Sequence, residues 1–406
     1  MSDRDLIVAL DVGTTKVLTL VGSCAGERLH ILGFGHAPST GLRKGIVVDI
    51  PETAASIRAS VDAAERATHA RVGSVLVSLS GEHLASVNSR GGVALGEARE
   101  VTEEDTRHAR RAARQIVHPP EQLILHSIPR QYALDGQDGV RHPVGMSATY
   151  VEVETHVVTA AGSFVENLAK CVHRAHLDVE EVIAAPLASG LAVATEAERA
   201  LGVAVIDLGG GATHLALFRD GSAFHTAALP IGGEHLSYDL SVGLRITRDA
   251  GERLKRASGC ARAEDVGPDE YVAIQQVGEA EPREVPRRLV GEILEPRVTE
   301  LARLVREQVE RATEGTVLPA SAVLTGGGSL LPGLRESFAE ILGIPARLGL
   351  PRHVEAQDAI LDSPAAATGV GLVQLGAIRR GRGQPDGGWS AGIFQRLGRW
   401  LGGRRT

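Results

Sequence analysis

Two stretches, one in each half of the chain, carry the same order of apolar and polar positions. Residues 6–22 read LIVALDVGTTKVLTLVG, and residues 203–218 read VAVIDLGGGATHLALF. In each, an apolar run ends in an aspartate, Asp11 or Asp207, and a glycine-containing turn leads to a second apolar run. This pattern predicts a β-hairpin with the aspartate at the end of its first strand. One copy in each half predicts a duplicated α/β domain rather than a solenoid, whose repeats are much shorter.

Between the two hairpins, the pattern changes to that of a small α+β insertion over residues 84–163. Thr102 and Asp105 have the spacing of a capping box, so we expect a helix to begin there. The prolines and glycines that follow this helix predict loop structure. The predicted elements are a loop-rich stretch at 126–146, a strand at 150–161 and a helix at 163–176.

After the second hairpin, residues 229–320 are predicted to be mainly helical, with a loop-rich interruption at 267–286. Residues 322–329 read AVLTGGGS, which predicts a third strand followed by a glycine turn. Residues 361–375 contain a predicted helix of small residues.

The composition is that of a soluble globular protein, since 43% of the 406 residues are hydrophobic and 23% are charged. A chain of this length suits several lobes. The acidic start, with Asp3 and Asp5, argues against a signal peptide, and the longest apolar stretch, at 182–194, is too short to span a bilayer. Three scattered cysteines argue against a disulfide framework. We therefore expect a protein that begins in the cytoplasm.

Charge is distributed unevenly along the chain. The formal net charge is −7, yet residues 376–406 contain seven arginines and one acid, Asp386. An acidic body with a basic tail argues against general binding of nucleic acid. The same asymmetry indicates that the tail has a separate role.

The tail has the pattern of an amphipathic helix. On a helical wheel its apolar residues fall within about 140°, and they are Trp389, Ile393, Phe394, Leu397, Trp400 and Leu401. Arg396 and Arg399 lie on the opposite side. Such a helix is expected to lie in the headgroup region of an anionic membrane. The alternative is a helix that packs on the protein's own core or in a partner's groove, and the glycine-rich linker at 381–388 argues against the first of these.

Glycine-rich turns after strands let backbone N–H groups approach an anion closely. Two such turns that face each other across a cleft can hold the phosphates of one nucleotide, while Asp11 and Asp207 hold Mg²⁺ through water. The predicted phosphate-binding residues are Gly13, Thr14, Thr15 and Lys16 in the first turn, and Gly209, Gly210 and Gly211 in the second.

These motifs resemble those of the actin superfamily. DVGTTK at 11–16, DLGGGAT at 207–213 and LTGGGS at 324–329 are similar to its two phosphate loops and its adenosine loop. Residues 185–192 and 367–371 are similar to its two connecting helices. The resemblance implies an α/β fold with two ribonuclease-H-like domains around an ATP cleft. It implies an adenosine site made of Glu252, Lys255, Gly326, Gly327, Gly328 and Ser329.

Within the superfamily, the chain resembles the bacterial cell-division family FtsA. HSIPRQYALD at 126–135 and HPVGM at 142–146 are similar to the family's insertion subdomain, called 1C, and EPRVTEL at 295–301 is similar to its long helix. The resemblance implies a peripheral protein that polymerises on the cytoplasmic face of the membrane at the division site. It also implies that the protein links FtsZ filaments to that membrane, recruits other division proteins through the insertion, and binds the acidic FtsZ tail through Arg283 and Arg297.

The resemblance further implies a division of the chain into six parts. They are a first actin-like domain (1A) at 1–83, 164–200 and 363–380; the insertion 1C at 84–163, in place of the usual actin subdomain; a second domain (2A) at 201–230 and 320–362; subdomain 2B at 231–319; a linker at 381–388; and the membrane helix at 389–406.

The second phosphate loop departs from the family pattern, because Ala212 stands where threonine is usual and His214 where an acid is usual. The backbone donors remain, so we expect ATP binding, slow or absent hydrolysis, and no metabolic activity.

Two alternative functions are considered for this fold. The first is a pilus-assembly ATPase of the PilM type, which shares the fold and the insertion but does not require an amphipathic tail. A sugar-kinase-type phosphotransferase would require a base for the acceptor hydroxyl, and no motif for such a base is evident.

Overall fold

The hydrophobic runs that contain Asp11 and Asp207 form hairpins at matching places in two separate sheets of the computed structural model. The structure describes residues 6–25, 28–116, 119–315, 317–356 and 362–381. Asp11 pairs with Leu18, and Asp207 pairs with His214, both in antiparallel register. Each aspartate therefore lies one residue before the end of the paired part of its first strand, and both predicted hairpins are confirmed.

The first domain begins with six strands and a helix that packs on them. These are β1 (Leu6–Val12), β2 (Lys16–Ala25), β3 (Arg28–Pro38), β4 (Leu42–Arg43), β5 (Ile46–Val47), α1 (Ile50–Thr68) and β6 (Ser74–Leu79). Helix α1 begins after Asp49, whose carboxylate accepts a hydrogen bond from the N–H of Glu52. Its apolar face, with Ile57 and Val61, is buried in the first domain's core.

The next segment forms a sheet of its own. It consists of β7 (Leu84–Glu100), α2 (Glu103–Ala113), β8 (Gln122–Leu134), β9 (Gln137–Val140) and β10 (Ser147–Ala161), with strand order β7-β10-β8-β9. The predicted capping box is confirmed, because the Thr102 hydroxyl accepts from the N–H of Asp105 while the Asp105 carboxylate accepts from the N–H of Thr102. Helix α2 covers one face of this sheet and buries Ala109 against Tyr132 and its neighbours in a separate small core.

The loop-rich stretch predicted at 126–146 is wrong for most of its length, because residues up to Leu134 belong to β8 and a further four belong to β9. Pro129 was one reason for the predicted loop, because proline is unusual inside a strand. It lies opposite Thr155, at a point where the register between β8 and β10 shifts. Proline is tolerated at such a bulge because the hydrogen-bonded ladder is already interrupted there.

The chain then returns to the first domain and crosses into the second. The elements are α3 (Gly162–Arg174), β11 (Asp178–Ala184), α4 (Ala185–Val193) and α5 (Glu196–Leu201), followed by β12 (Val203–Leu208), β13 (Thr213–Arg219), β14 (Ser222–Leu229), α6 (Gly233–Leu244), α7 (Arg248–Ser258), β15 (Tyr271–Ile274), β16 (Arg283–Pro286) and α8 (Arg287–Ala312). The mainly helical region is confirmed. Its predicted loop-rich interruption also contains the hairpin of β15 and β16.

The last described elements complete both large sheets. They are β17 (Ser321–Thr325), α9 (Leu334–Leu342), β18 (Ala346–Leu348), β19 (Glu355–Ala356) and α10 (Ala367–Gly381). The first sheet has the order β11-β6-β1-β2-β3-β19, and the second has the order β14-β13-β12-β17-β18. Each therefore has a three-stranded antiparallel meander with two parallel strands beside its first strand, which confirms the predicted duplication. The first sheet has β19 as a further parallel strand beside β3.

Helices α4 and α10 pack against each other, and small residues make this contact close. A Cβ placed on Gly371 of α10 would come within 1.9 Å of the Ala188 carbonyl oxygen of α4. Glycine is therefore required at this position for the observed helix spacing. The pair is buried in the core that joins the first sheet to one face of the second, so it holds the two domains at a fixed separation.

Candidate functional site

A cleft of about 570 Å³ lies where the glycine turns of the two sheets meet. Fourteen of the predicted ligand residues line it: Asp11, Gly13, Thr14, Thr15, Lys16, Asp207, Gly209, Gly210, Gly211, Glu252, Lys255, Gly326, Gly327 and Gly328. Ser329 is placed differently. It is buried, and its hydroxyl donates to the Gly326 carbonyl at 2.7 Å within its own turn, so it does not line the cleft.

The two hairpin turns have the same backbone construction. The N–H of Gly13 donates to the Lys16 carbonyl at 2.9 Å, and the N–H of Gly209 donates to the Ala212 carbonyl at 3.0 Å. Each bond closes a four-residue turn directly after the strand that carries the aspartate. The repeated sequence pattern therefore produces two equivalent backbone turns.

The two turns face each other at contact distance. A Cβ on Gly210 would lie 2.5 Å from the Thr15 Cγ2, and a Cβ on Gly211 would lie 2.6 Å from the Thr14 Oγ1 and 2.8 Å from the Lys44 Cα. Such distances exclude any side chain without movement of the opposite turn. The glycines of the second turn thus allow the first turn to approach closely enough for both to contact one small anion.

Asp11 is held from within its own sheet. The hydroxyl of Ser78, on the neighbouring β6, donates to its Oδ1 at 2.8 Å, and the Lys16 Nζ lies 3.6 Å from its Oδ2. Burial raises the pKa of Asp11, and the Lys16 ammonium and the Ser78 hydrogen bond offset part of that effect. This carboxylate therefore has one cationic neighbour within ion-pair distance.

Asp207 is held from the opposite half of the molecule. The hydroxyl of Thr368, in α10, donates to its Oδ2 at 2.9 Å. Burial raises the pKa of Asp207, and none of the described Lys, Arg or His side chains lies within 4.0 Å of its carboxylate. A buried carboxylate without a paired cation is stabilised when a cation binds next to it.

This pair of carboxylates fits Mg²⁺ better than it fits a transition metal. Carboxylate and hydroxyl oxygens are hard ligands, and Mg²⁺ commonly uses one or two carboxylates and completes its shell with water and phosphate oxygens. Among the described residues, no group of three or more His, Cys, Asp or Glu side chains could form a complete protein site. Asp11 and Asp207 would therefore hold the ion together with water or a ligand.

The first-turn cation is already oriented across the cleft. The Lys16 ammonium donates to the Ala365 carbonyl at 2.7 Å, just before the start of α10. Its side chain is largely buried yet lines the cleft. An anion between the turns would therefore find a positioned ammonium.

The third side of the cleft is formed by α6 and α7. The Lys255 ammonium donates to the Glu252 carboxylate at 2.6 Å, to the Ser237 hydroxyl at 2.9 Å and to the Gly233 carbonyl at 2.8 Å. Burial raises the pKa of Glu252, but hydrogen bonds from Lys255 and Ser237 outweigh it and leave the pKa below its usual value. Burial lowers the pKa of Lys255 despite the pair. Glu252 and Lys255 thus form one hydrogen-bonded unit beside the glycines of the third turn.

His214 marks the point where the second turn contacts the start of the insertion. Its Nε2 accepts a hydrogen bond from the N–H of Gly81 at 3.2 Å. Burial lowers its pKa to about 4, so the ring is neutral at pH 7 and carries its proton on Nδ1. The sequence showed His214 as a departure from the family pattern, but not this contact.

Sequence reasoning missed Ser78 and Thr368 as supports of the two aspartates. Thr368 lies inside the small-residue motif of α10, and nothing in that motif reveals which way its hydroxyl points. A search for hydroxyl residues in the connecting helices would have found it as a candidate.

The two predicted partner arginines lie in β16 and α8. Arg297 donates two hydrogen bonds to the Asp239 carboxylate, at 2.8 and 3.1 Å, whereas Arg283 is exposed. The predicted membrane residues lie outside the described part of the chain: Trp389, Ile393, Phe394, Arg396, Leu397, Arg399, Trp400 and Leu401. Within the described ranges, no helix is both long enough and apolar enough to span a bilayer.

Comparison with known proteins gives consistent matches. The family model for cell division protein FtsA matches residues 204–371, and the model for the SHS2 domain inserted in FTSA matches residues 81–159. Cell division protein FtsA of Pseudomonas aeruginosa is 38% identical over 408 residues, which covers 98% of each chain.

Two solved structures show a similar fold. The PilM-PilN type IV pilus biogenesis complex matches with a TM-score of 0.65 and 19% identity, over 91% of this chain and 98% of that one. MreB5 of Spiroplasma citri bound to ADP matches with a TM-score of 0.54 and 14% identity, over 94% of this chain and all of that one. At such identities the likeness concerns the fold alone. It confirms the predicted actin-like architecture, and the SHS2 match confirms the insertion.

Proposed function

The chain belongs to the FtsA family of cell-division proteins, and on that premise we propose that it binds ATP and Mg²⁺ in the cleft and anchors FtsZ filaments to the cytoplasmic membrane. The observation that carries the nucleotide part is the meeting of two equivalent backbone turns at contact distance, with Lys16 between them. MreB5, a protein of similar fold, is bound to ADP in its solved structure. The cleft of this chain has the donors that the phosphates of such a ligand require.

Asp11 and Asp207 would hold Mg²⁺, whose charge would neutralise the phosphates of the bound nucleotide. The backbone N–H groups of the two turns then orient the phosphate chain. Glu252 and Lys255, with the third turn, form the wall on the adenosine side.

Hydrolysis is proposed to be slow or absent. A general base must have a free lone pair within reach of the attacking water. The Nε2 lone pair of His214 accepts the Gly81 N–H and is therefore not available. ATP on this account closes the cleft and favours self-association instead of driving a metabolic reaction.

The FtsZ contact is proposed to lie on the second domain at Arg283 and Arg297. Arginine binds carboxylates with two parallel hydrogen bonds, which suits an acidic peptide. Arg297 already has this geometry with Asp239, so a peptide carboxylate would have to compete with that residue. Titration of an FtsZ tail peptide against Arg283→Glu and Arg297→Glu variants should show weaker binding for both. Equal binding by both variants and the unmodified chain would contradict the assignment.

The membrane contact is proposed to be the amphipathic tail at 389–406. We also propose that the protein is peripheral, acts at the division site, polymerises, and recruits later division proteins through the insertion. A helix with six apolar residues on one side and arginines on the other binds anionic lipid surfaces.

Co-sedimentation with anionic vesicles in the presence of Mg²⁺ and ATP tests the tail. Ile393→Glu introduces a charge on the apolar side, and Gln395→Glu introduces the same charge on the opposite side. We expect Ile393→Glu to lose most of the lipid-bound fraction and Gln395→Glu to retain most of it. Equal sedimentation of the two variants would show that the tail is not the anchor.

A further inference from the structure

The segment at the start of α10 is bonded to the first and third turns of the cleft and to the strand that leads into the second. The Lys16 ammonium donates to the Ala365 carbonyl at 2.7 Å, and the N–H of Gly326 donates to the Pro364 carbonyl at 3.1 Å. The Thr368 hydroxyl donates to the Asp207 Oδ2 at 2.9 Å. Of these three bonds, the one to Asp207 is made by a side chain of α10 itself.

The Thr368 hydroxyl crosses between the two halves of the molecule. Asp207 ends a strand of the second sheet, whereas α10 packs against α4 and the first sheet. A threonine within a helix often bonds back to its own helix four residues earlier. Here the buried hydroxyl of Thr368 instead reaches a carboxylate 161 residues away in sequence.

We propose that Thr368 is a positioning residue for Asp207, and that it transmits metal occupancy of this carboxylate to α10. The hydroxyl fixes Oδ2, and because the bond ends on a rigidly packed helix, any movement of the carboxylate on metal binding is passed to the start of α10. This inference rests on the proposed function, since it assumes that Mg²⁺ and a nucleotide bind in the cleft. Asp11 also lines the cleft, so loss of Thr368 alone weakens the site without abolishing it.

Three variants separate positioning from packing. Thr368→Val removes the hydroxyl and keeps the branched shape, and Thr368→Ser restores the hydroxyl without the methyl group. Thr53→Val is the matched control, because Thr53 is also a buried helical threonine, and its hydroxyl donates to the carbonyl of Asp49, the residue just before α1.

The first measurement is the binding of a fluorescent ATP analogue to the full chain as Mg²⁺ is titrated. A hydrogen bond to a charged group is worth about tenfold or more in affinity, so Thr368→Val should need about tenfold more Mg²⁺ for half-saturation. Thr368→Ser should return to near the original value, and Thr53→Val should not change it. Binding in excess EDTA should be equal for all four proteins.

The second measurement is amide hydrogen exchange in α10 with and without Mg²⁺ and ATP. The unmodified chain and Thr53→Val should show slower exchange at the start of α10 when the ligand is bound. Thr368→Val, at saturating ligand, should show a much smaller change there. A purely structural role for Thr368 would alter exchange with and without ligand alike.

The outcomes distinguish this inference from the function on which it rests. If the unmodified chain binds the nucleotide with a Mg²⁺ dependence that Thr368→Val shares, the positioning role is overturned while the nucleotide site stands. If Thr368→Ser is as weak as Thr368→Val, packing and not the hydroxyl is responsible, and the role is again overturned. If the unmodified chain binds no nucleotide at any Mg²⁺ concentration, the proposed function fails together with the inference.

Discussion

The two glycine-containing turns of the cleft share a backbone and differ in nearly every side chain. The first turn presents Thr14, Thr15 and Lys16, whereas the second presents three glycines followed by Ala212. Their closing hydrogen bonds differ in length by only 0.1 Å. The two copies thus have the same main-chain geometry and present different side chains to the cleft.

Under the proposed function, this difference divides nucleotide binding between the two turns. The first turn contributes a cation and hydroxyls, while the second contributes only backbone donors and the space that its glycines leave open. The supports differ as well, because Ser78 holds Asp11 from the same sheet while Thr368 holds Asp207 from the other domain. The first turn is therefore complete within its domain, and the second depends on how the two domains are placed.

Loss of the first-turn cation should have the largest effect. A charge-assisted hydrogen bond contributes about 1.5–3 kcal/mol, so Lys16→Gln should weaken ATP binding roughly tenfold to a hundredfold. Because Lys16 acts on phosphate, the loss should shrink when adenosine replaces ATP. Lys255→Gln, on the adenosine side, should affect both ligands equally. Calorimetric titration of both ligands checks this. Equal losses of ATP and adenosine affinity in Lys16→Gln would contradict the assignment of Lys16 to phosphate.

Filling the space left by the second turn should have the next largest effect. Gly211→Ala places a methyl group 2.6 Å from the Thr14 Oγ1 and 2.8 Å from the Lys44 backbone, which must then move. Such overpacking costs about 1–3 kcal/mol, and we expect roughly tenfold weaker ATP binding. Gly73→Ala is the control, because no atom lies within 4 Å of its added Cβ. A Gly211→Ala variant with unchanged affinity would show that the turns need not approach so closely.

The second sheet also has a support that involves the insertion. The side chain of Asn88, in β7 of the insertion, contacts strand β14, because its amide donates to the Phe224 carbonyl at 2.9 Å. The Nδ1 of His156 lies 2.8 Å from the Asn88 Oδ1. Burial lowers the pKa of His156 to about 3, with smaller contributions from nearby His225, Arg130 and His126. At a pH just below the ordinary histidine pKa, the ring is therefore neutral in the folded chain and protonated in the unfolded chain.

The smallest predicted effect is therefore on the pH dependence of stability. Between pH 6.5 and about 3 the unfolded state binds a proton at His156 that the folded state does not, so stability falls as the pH falls through this window. One such proton corresponds to at most about 1.4 kcal/mol per pH unit. Urea unfolding at pH 7, 6 and 5 gives the free energy of unfolding at each pH. This free energy should depend less steeply on pH for His156→Gln than for the unmodified chain. The same pH dependence of the free energy of unfolding in both proteins would show that groups other than His156 cause it.

Local patterns were sufficient to predict much of the fold. The hairpins around Asp11 and Asp207 and the capping box at Thr102 each depend on residues close together in sequence. Strand β8 was missed because its proline indicates a loop, and only the bulge opposite Thr155 makes that proline acceptable. The bounds predicted for the six parts of the chain remain predictions.

The candidate site was predicted less completely than the fold, for a physical reason. Glycine turns can be recognised because glycine is what the backbone requires there. Ser78 and Thr368 act across 67 and 161 residues of sequence, and such contacts depend on tertiary packing that one sequence does not display. Ser329 is the opposite case. The motif predicted that it contacts the nucleotide, but its hydroxyl donates to the Gly326 carbonyl within its own turn.

A crystal structure of the full chain grown with Mg²⁺ and a non-hydrolysable ATP analogue tests the central claim most directly. The distances to measure are those from the phosphate oxygens to the backbone nitrogens of the two turns. We predict hydrogen bonds of about 2.9 Å from N–H groups of both Thr14–Lys16 and Gly210–Gly211 to one phosphate chain, with the Lys16 ammonium moved from Ala365 to phosphate. Phosphates bound by one turn alone, or a nucleotide bound outside the cleft, would contradict the account.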